Sequence, residues 1–134
     1  MPFELFNPAG LHHPTTYSHV GVVSSGRLVF VAGQVAVDAD GELVGPGDLA
    51  AQARQAYANV TTALAAAGAT PGDVVKLATF VVDHGPGKLR TATEAARSVF
   101  GDHAPTAVYL GVQALARPDY LIEVEAIAVV DDRS

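Results

Sequence analysis

The chain has 134 residues and a formal net charge of −6, and 49% of its residues are apolar while only 16% are charged. Charged residues usually make up about 25% of a globular domain, so this chain has few charges with which to cover its surface. The length suits a single domain over residues 1–134, and the surplus of apolar side chains predicts a buried interface between copies of the chain. The 8 basic residues are scattered along the sequence, which argues against the cationic patch that nucleic-acid binding requires.

The sequence contains no cysteine, which excludes disulfides, thiolate catalysis and cysteine-based zinc sites. Glu4 stands where a secretory signal has basic residues, and no stretch approaches the roughly 18 apolar residues of a membrane span. We therefore expect a cytoplasmic protein that binds neither membranes nor nucleic acid.

The first third of the chain combines an arm with strand-like segments. Prolines and a glycine within residues 1–16 predict an extended N-terminal arm. Residues 17–23 and 28–32 have the composition of strands, and the turn-like residues 24–26 between them predict that the two segments pair as a hairpin.

Two helices alternate with the remaining strands. Asp48 is a favourable N-cap for a long helix whose apolar residues recur at helical spacing, and Gly68 stands where a helix C-terminus favours glycine. A shorter helix ends at Gly101. Three further segments are strand-like: residues 74–82, 106–112 and 120–130. The order ββαβαββ predicts an α+β domain with a mixed sheet backed by two helices.

The last strand places two carboxylates on one face. Glu123 and Glu125 share this face because side chains alternate along a strand. The other face is wholly apolar and is expected to meet the helices: Ile122, Val124, Ala126, Ala128 and Val130. The residues alone allow the two carboxylates to be solvated or to lie at a subunit boundary.

Four segments occur in a distinctive order: Tyr17–Val20; Gly26–Gln34; the helical run from Gln52 through Ala69 to Lys76; and Leu121–Ala126. Taken together, they resemble the Rid (RidA/YjgF, reactive intermediate deaminase) family over about residues 17–130. The resemblance implies a chorismate-mutase-like fold and a homotrimer whose sheets face inward, leaving three clefts between subunits. It also implies hydrolysis of enamines or imines to ketones and ammonia without a cofactor.

The family pattern assigns roles to individual positions of this sequence. Tyr17 matches a cleft-lining tyrosine, Ala32 and Gly33 match a main-chain contact to substrate, and Glu123 matches a glutamate that positions water. The family's carboxylate-binding arginine falls at Ala107, so the chain is similar to the arginine-lacking members. Loss of a buried bidentate contact costs about 2–5 kcal/mol, which predicts an atypical small-molecule substrate.

Several of these positions allow a purely structural role. Glu123 either activates water or is a solvated strand residue, Tyr17 either lines a cleft or packs in the core, and Glu125 is expected to be structural. His19 shares the strand face of Tyr17 and is either an acid–base group or a structural histidine. Arg117, in a lengthened loop, either replaces the missing guanidinium in substrate binding or is an exposed turn residue.

Other polar residues receive structural interpretations. The adjacent His12 and His13 cannot share a face, so no metal site is expected. Arg90 and Arg97 are expected on the solvent side of the second helix. Three functions follow from the sequence: a Rid-like hydrolase, a trimeric protein that binds a small metabolite without turning it over, and a structural partner protein that uses only its trimer surface.

Overall fold

Two helices pack on one face of a four-stranded mixed sheet in the computed structural model, which describes residues 2–132. Eight elements follow in chain order: β1 Phe3–Phe6, β2 Val20–Val23, β3 Arg27–Gln34, α1 Leu49–Ala66, β4 Val74–Val82, α2 Lys88–Phe100, β5 Thr106–Val112 and β6 Ile122–Val130. The sheet order is β3-β6-β4-β5, in which only β4 and β5 run parallel. The predicted α+β class is confirmed.

The boundaries of α1 follow from its capping residues. The Asp48 carboxylate accepts a hydrogen bond from the Ala51 amide at 3.1 Å, as the sequence predicts for an N-cap. Beyond the last turn, Gly68 adopts a φ of +77°, a conformation that side chains with a Cβ rarely adopt. Ala53 and Ala56 are fully buried, so the helix axis lies close to the sheet.

The two faces of the sheet have opposite character. The alternate residues of β6 predicted to meet the helices are all buried in the main core: Ile122, Val124, Ala126, Ala128 and Val130. Glu123 and Glu125 point the other way, as strand alternation requires. We call this second side, which faces away from α1 and α2, the open face.

The arm and hairpin predictions are wrong in part. Residues 3–6 are not an extended arm but the strand β1, and β1 pairs antiparallel with β2. The expected hairpin between residues 17–23 and 28–32 does not form, because β3 pairs instead with β6. The first of these segments is also shorter than predicted, since β2 begins at Val20.

Burial of apolar side chains explains this different pairing. Phe3 packs with Val75 and Val129 in a second small core, so β1 covers one end of the open face. The turn after β2 is tied to β1, because the Ser24 amide donates a hydrogen bond of 2.9 Å to the Pro2 carbonyl. Burying a side chain such as that of Phe3 stabilises the fold by about 1.5–3 kcal/mol.

Candidate functional site

A pocket lies between α2 and β5, the edge strand of the sheet. Four residues define what we call the edge pocket: Tyr17, Thr93, Ala107 and Tyr109. Ala107 faces the helices, since its partner in β4 is the buried Leu77. The pocket therefore opens on the helix side of the sheet.

Ser18 fixes the segment that carries Tyr17. Its amide donates to the Pro105 carbonyl at 3.1 Å, and its hydroxyl donates to the Ala104 carbonyl at 2.7 Å. Ser18 also forms a parallel bridge with Thr106 at the start of β5. These bonds hold half-buried Tyr17 at the pocket although it lies outside any strand.

The second group of predicted site residues lies on the open face. A bulge in β3 between Val31 and Gln34 contains Ala32 and Gly33. Gly33 lies so close to the Glu123 carboxylate that a Cβ at this position would overlap with it, lying 2.8 Å from Cδ. A side chain here would displace the Glu123 carboxylate, so glycine at this position permits the close approach and does not serve a positive φ. The result is a half-buried carboxylate beside exposed main chain.

Within one protomer, the structure brings the predicted site residues together in two separate groups. Tyr17 and Ala107 line the edge pocket, whereas Gly33 and Glu123 lie on the open face. Arg117 belongs to neither group, since it lies beside the loop at residues 37–43 and the start of β6.

His19 stands next to Tyr17 with its ring held by two neighbours. The ring centroids of His19 and Tyr17 are 5.5 Å apart at an interplanar angle of 80°. Nε2 of His19 lies 2.8 Å from the His12 carbonyl oxygen, so that nitrogen carries a proton and donates it. His19 thereby anchors the segment before Tyr17, which is the structural alternative considered for this residue.

The edge pocket also contains residues that the sequence did not single out. Tyr109 points into it from β5, and its hydroxyl hydrogen-bonds to Nδ1 of His84 at 3.1 Å. Burial raises the pKa of Tyr109. Its position two residues after Ala107, on the same strand face, is the signal by which it could have been found.

Tyr57 and Thr79 form the polar floor of the pocket. Their hydroxyls share a hydrogen bond of 2.9 Å between α1 and β4. Burial raises the pKa of Tyr57 to about 12, although the bond from Thr79 opposes this increase. The phenol is therefore neutral at physiological pH.

Arg97 borders the groove that continues from the edge pocket toward the end of α2. The groove and the pocket share Thr93 and Ala107. Arg97 is 66% exposed, as its predicted solvent-side position implies, and pairs with Asp102 at a long 3.8 Å. An exposed pair of this length is weak, which leaves the guanidinium available to another anion. Its spacing of four residues from Thr93 on α2 is the signal that places it here.

Two kinds of feature are absent from the part of the chain that the structure describes. No three His, Asp or Glu residues among residues 2–132 come close enough to hold a metal ion. Neither α1 nor α2 is long and apolar enough to cross a bilayer.

The architecture defines a class of protein: a mixed sheet with two helices on one face, an edge pocket on that side and a glycine-flanked carboxylate on the other. The protein-family model described as Endoribonuclease L-PSP matches residues 10–130. An Escherichia coli 2-iminobutanoate/2-iminopropanoate deaminase is 39% identical over 114 residues, covering 83% of this chain and 86% of that protein. The chain therefore belongs to the Rid (RidA/YjgF) family, and its fold is chorismate-mutase-like.

Two solved structures of relatives extend this comparison. The Rid-family protein YyfB from Yersinia pestis, of unknown function, has a TM-score of 0.90 and 43% identity, covering 97% of this chain and 100% of that chain. Escherichia coli TdcF, crystallised with bound serine, has a TM-score of 0.68 and 31% identity, covering 87% of this chain and 94% of its own.

Proposed function

We propose that this chain is a cytoplasmic, cofactor-free deaminase that hydrolyses a small imine, enamine or related C–N electrophile at a cleft between subunits. The contact between Gly33 and Glu123 carries the proposal. Because position 33 has no side chain, the Glu123 carboxylate lies directly against the exposed main chain of a bulge, an arrangement suited to orienting a water molecule. The relative named as an imine deaminase supports the same chemistry.

The proposed cleft requires a neighbouring subunit. The open face exposes large apolar side chains on β3 and β5: Leu28, Phe30, Val108 and Leu110. We propose that these side chains pack inside a homotrimer. The open face of one protomer then meets the edge pocket of the next, so that Glu123 from one chain faces Tyr17 from its neighbour. This arrangement accounts for the two separate groups of site residues within one protomer.

The chemistry needs few groups. An imine carbon is electrophilic once its nitrogen is protonated, and addition of water gives a carbinolamine that collapses to a ketone and ammonia. Glu123 orients the water and accepts a proton from it, while main-chain groups at Ala32 and Gly33 contact the substrate. Tyr17 lines the opposite wall.

The substrate differs from ordinary 2-iminoacids because Ala107 offers no charge to a carboxylate beside the reacting carbon. The substrate is neutral, or it carries its anionic group elsewhere. Arg97, which borders the same groove, is our first candidate to bind such a group. Arg117 is the second, and it would have to act away from the edge pocket of its own chain.

A non-catalytic metabolite-binding trimer is the alternative function. The same cleft would hold a ligand without turnover, and the bound serine in TdcF supports small-molecule binding in the family. Ribonuclease activity, which the description of the family model names, is not proposed, since the net charge of −6 disfavours RNA binding.

Ammonia release from freshly generated imines tests the proposal. Replacing Glu123→Gln is expected to reduce kcat/KM by about 10²–10⁴-fold, because an amide cannot accept the proton from water. Glu125→Gln is the matched control: it makes the same change two residues away on the same strand face, at an exposed position, and is expected to retain activity.

Three outcomes separate the functions. Loss of turnover in Glu123→Gln alone supports the deaminase. Equal activity in both variants contradicts the proposed role of Glu123. No turnover by the unaltered protein, together with a rise in melting temperature caused by a member of a metabolite panel, supports the binding protein.

A further inference from the structure

The Tyr17 hydroxyl has a hydrogen-bond partner, His12, that is not among the positions matched to the family pattern. Nε2 of His12 is 2.8 Å from the Tyr17 hydroxyl oxygen, and the two rings meet edge to face with centroids 6.2 Å apart. His12 lies in the connection between β1 and β2, five residues before Tyr17. No periodic pattern in the sequence pairs these residues, since neither lies in a strand or a helix.

The conformation of His12 is fixed from a second side. His19 donates from Nε2 to the main-chain carbonyl of His12 at 2.8 Å, and the two imidazole rings stack edge to face at 4.7 Å. The amide of His19 in turn donates to the Asn7 side chain at 2.8 Å. Although His12 is exposed, its ring is therefore held against Tyr17 by a network of rings and hydrogen bonds.

We propose that His12 is a positioning residue that orients the Tyr17 hydroxyl and supplies its proton during catalysis; this inference rests on the proposed deaminase function. Tyr17 points its hydroxyl at the imine nitrogen across the cleft. His12 acts through Tyr17 and does not touch the substrate. Histidine suits this role because its charge changes between about pH 5 and 8.

The proton transfers balance in two steps. As water adds to the imine carbon, Glu123 of the neighbouring protomer takes a proton from the water. The imine nitrogen takes the Tyr17 proton, and the imidazolium of His12 then reprotonates the tyrosine oxygen. The C–N bond then breaks while Glu123 returns its proton to the departing nitrogen. The remaining hydroxyl proton leaves to solvent as the ketone forms, and exposed His12 regains a proton from solvent.

Several titratable groups lie near this pair among the described residues. Tyr17 and His19 are in contact with His12. The edge pocket also contains Tyr57 and Tyr109, and Tyr109 is bonded to His84. The adjoining groove is lined by Arg97, Asp102 and His103. Because Tyr109 and His84 are bonded at the same pocket, the experiment includes a His84→Gln variant.

The test compares His12→Gln with His13→Gln across pH 5 to 9. Glutamine still hydrogen-bonds to a hydroxyl but does not ionise, and His13 is an exposed neighbour that provides the same chemical change. We expect the wild-type pH profile of kcat/KM to contain a limb that depends on His12, with activity falling toward high pH. His12→Gln should lower kcat by about tenfold or more and abolish this limb of the profile, with little change in KM. His13→Gln and His84→Gln should keep both the wild-type kcat and this limb of the pH profile.

The outcomes separate this assignment from the proposed function. A His12→Gln variant that matches His13→Gln in kcat and pH profile overturns the role of His12 while leaving the deaminase in place. Absence of turnover by wild-type protein overturns both. Melting temperature and oligomeric state show that each variant is folded. Restoration of His12→Ala activity by added imidazole would support proton supply, which a purely structural role for His12 would not produce.

Discussion

Ala107 is the residue whose identity most limits the substrate. It lies on the helix-facing side of β5 and is exposed to the edge pocket, with Tyr17 and Thr93 as neighbours. A larger side chain at this position would extend into the pocket rather than into the packed core. The site can therefore be tested by restoring the cation that the family pattern places here.

Replacing Ala107→Arg is expected to raise kcat/KM for 2-iminoacids derived from ordinary amino acids. A buried, charge-assisted contact to carboxylate is worth about 2–5 kcal/mol, which corresponds to tens- to thousands-fold. Ala107→Met is the control, since it adds length without charge. Ammonia release by the two variants measures the difference, and equal rates would contradict our placement of the anion subsite.

At the scale of elements, the Tyr57–Thr79 hydrogen bond joins α1 to β4 beneath the edge pocket. Both residues are buried, and the ring of Tyr57 also meets Phe100 of α2 edge to face, with centroids 6.3 Å apart. One side chain thus connects both helices to the sheet. The neutral hydroxyl of Tyr57 contributes to this packing through its hydrogen bond to Thr79.

Stability should therefore depend on Tyr57 at alkaline pH. Burial raises its pKa to about 12 in the folded state, above the ordinary value of 10.0, so unfolding releases a proton between these values. The free energy of unfolding is expected to be unaffected by this group below pH 10 and to fall at up to roughly 1.4 kcal/mol per pH unit as pH rises toward 12. Chemical denaturation at several pH values measures this slope.

Tyr57→Phe should remove that contribution to the slope and cost about 1–3 kcal/mol at neutral pH, because the Thr79 hydroxyl loses its partner. Tyr120→Phe, a change at a half-buried tyrosine near the start of β6, serves as the control and should retain the slope. An unchanged slope in Tyr57→Phe would contradict the assignment.

The strand β1 illustrates which elements could be predicted. Phe3 and Leu5 alternate with exposed Glu4, which is a strand pattern, but its four residues are too short to outweigh the flanking prolines. Longer patterns were decisive: the α1 spacing and the nearly all-apolar run of β4 predicted the correct elements. Strand pairing could not be derived, because it depends on which apolar surfaces meet in three dimensions.

At the scale of the whole molecule, the open face is too apolar for a surface left in water. Phe30 is 71% exposed and Leu28 is 54% exposed on β3, and β5 contributes Val108 and Leu110 beside them. The sequence composition indicates the same surplus of apolar residues. Burial of this face between subunits is the simplest explanation.

We expect light scattering to give three chain masses for the unaltered protein. Phe30→Glu should dissociate the assembly and abolish turnover, because it places a charge in the proposed interface and removes the neighbour that completes the cleft. Leu11→Glu, at a similarly exposed leucine outside the sheet, should leave both unchanged. A monomeric unaltered protein would contradict the shared cleft.

The amino-acid sequence by itself determined the α+β class, the order of the main elements, the caps of α1 and the face of β6 that carries Glu123. These features depend on local spacing, which a linear pattern records. Only the tertiary structure decided that β1 pairs with β2, that Gly33 packs against Glu123, that Tyr17 and Ala107 share a pocket and that His12 meets Tyr17. Those contacts join residues from separate segments, and their geometry arises from how the sheet, its bulge and its connections pack together.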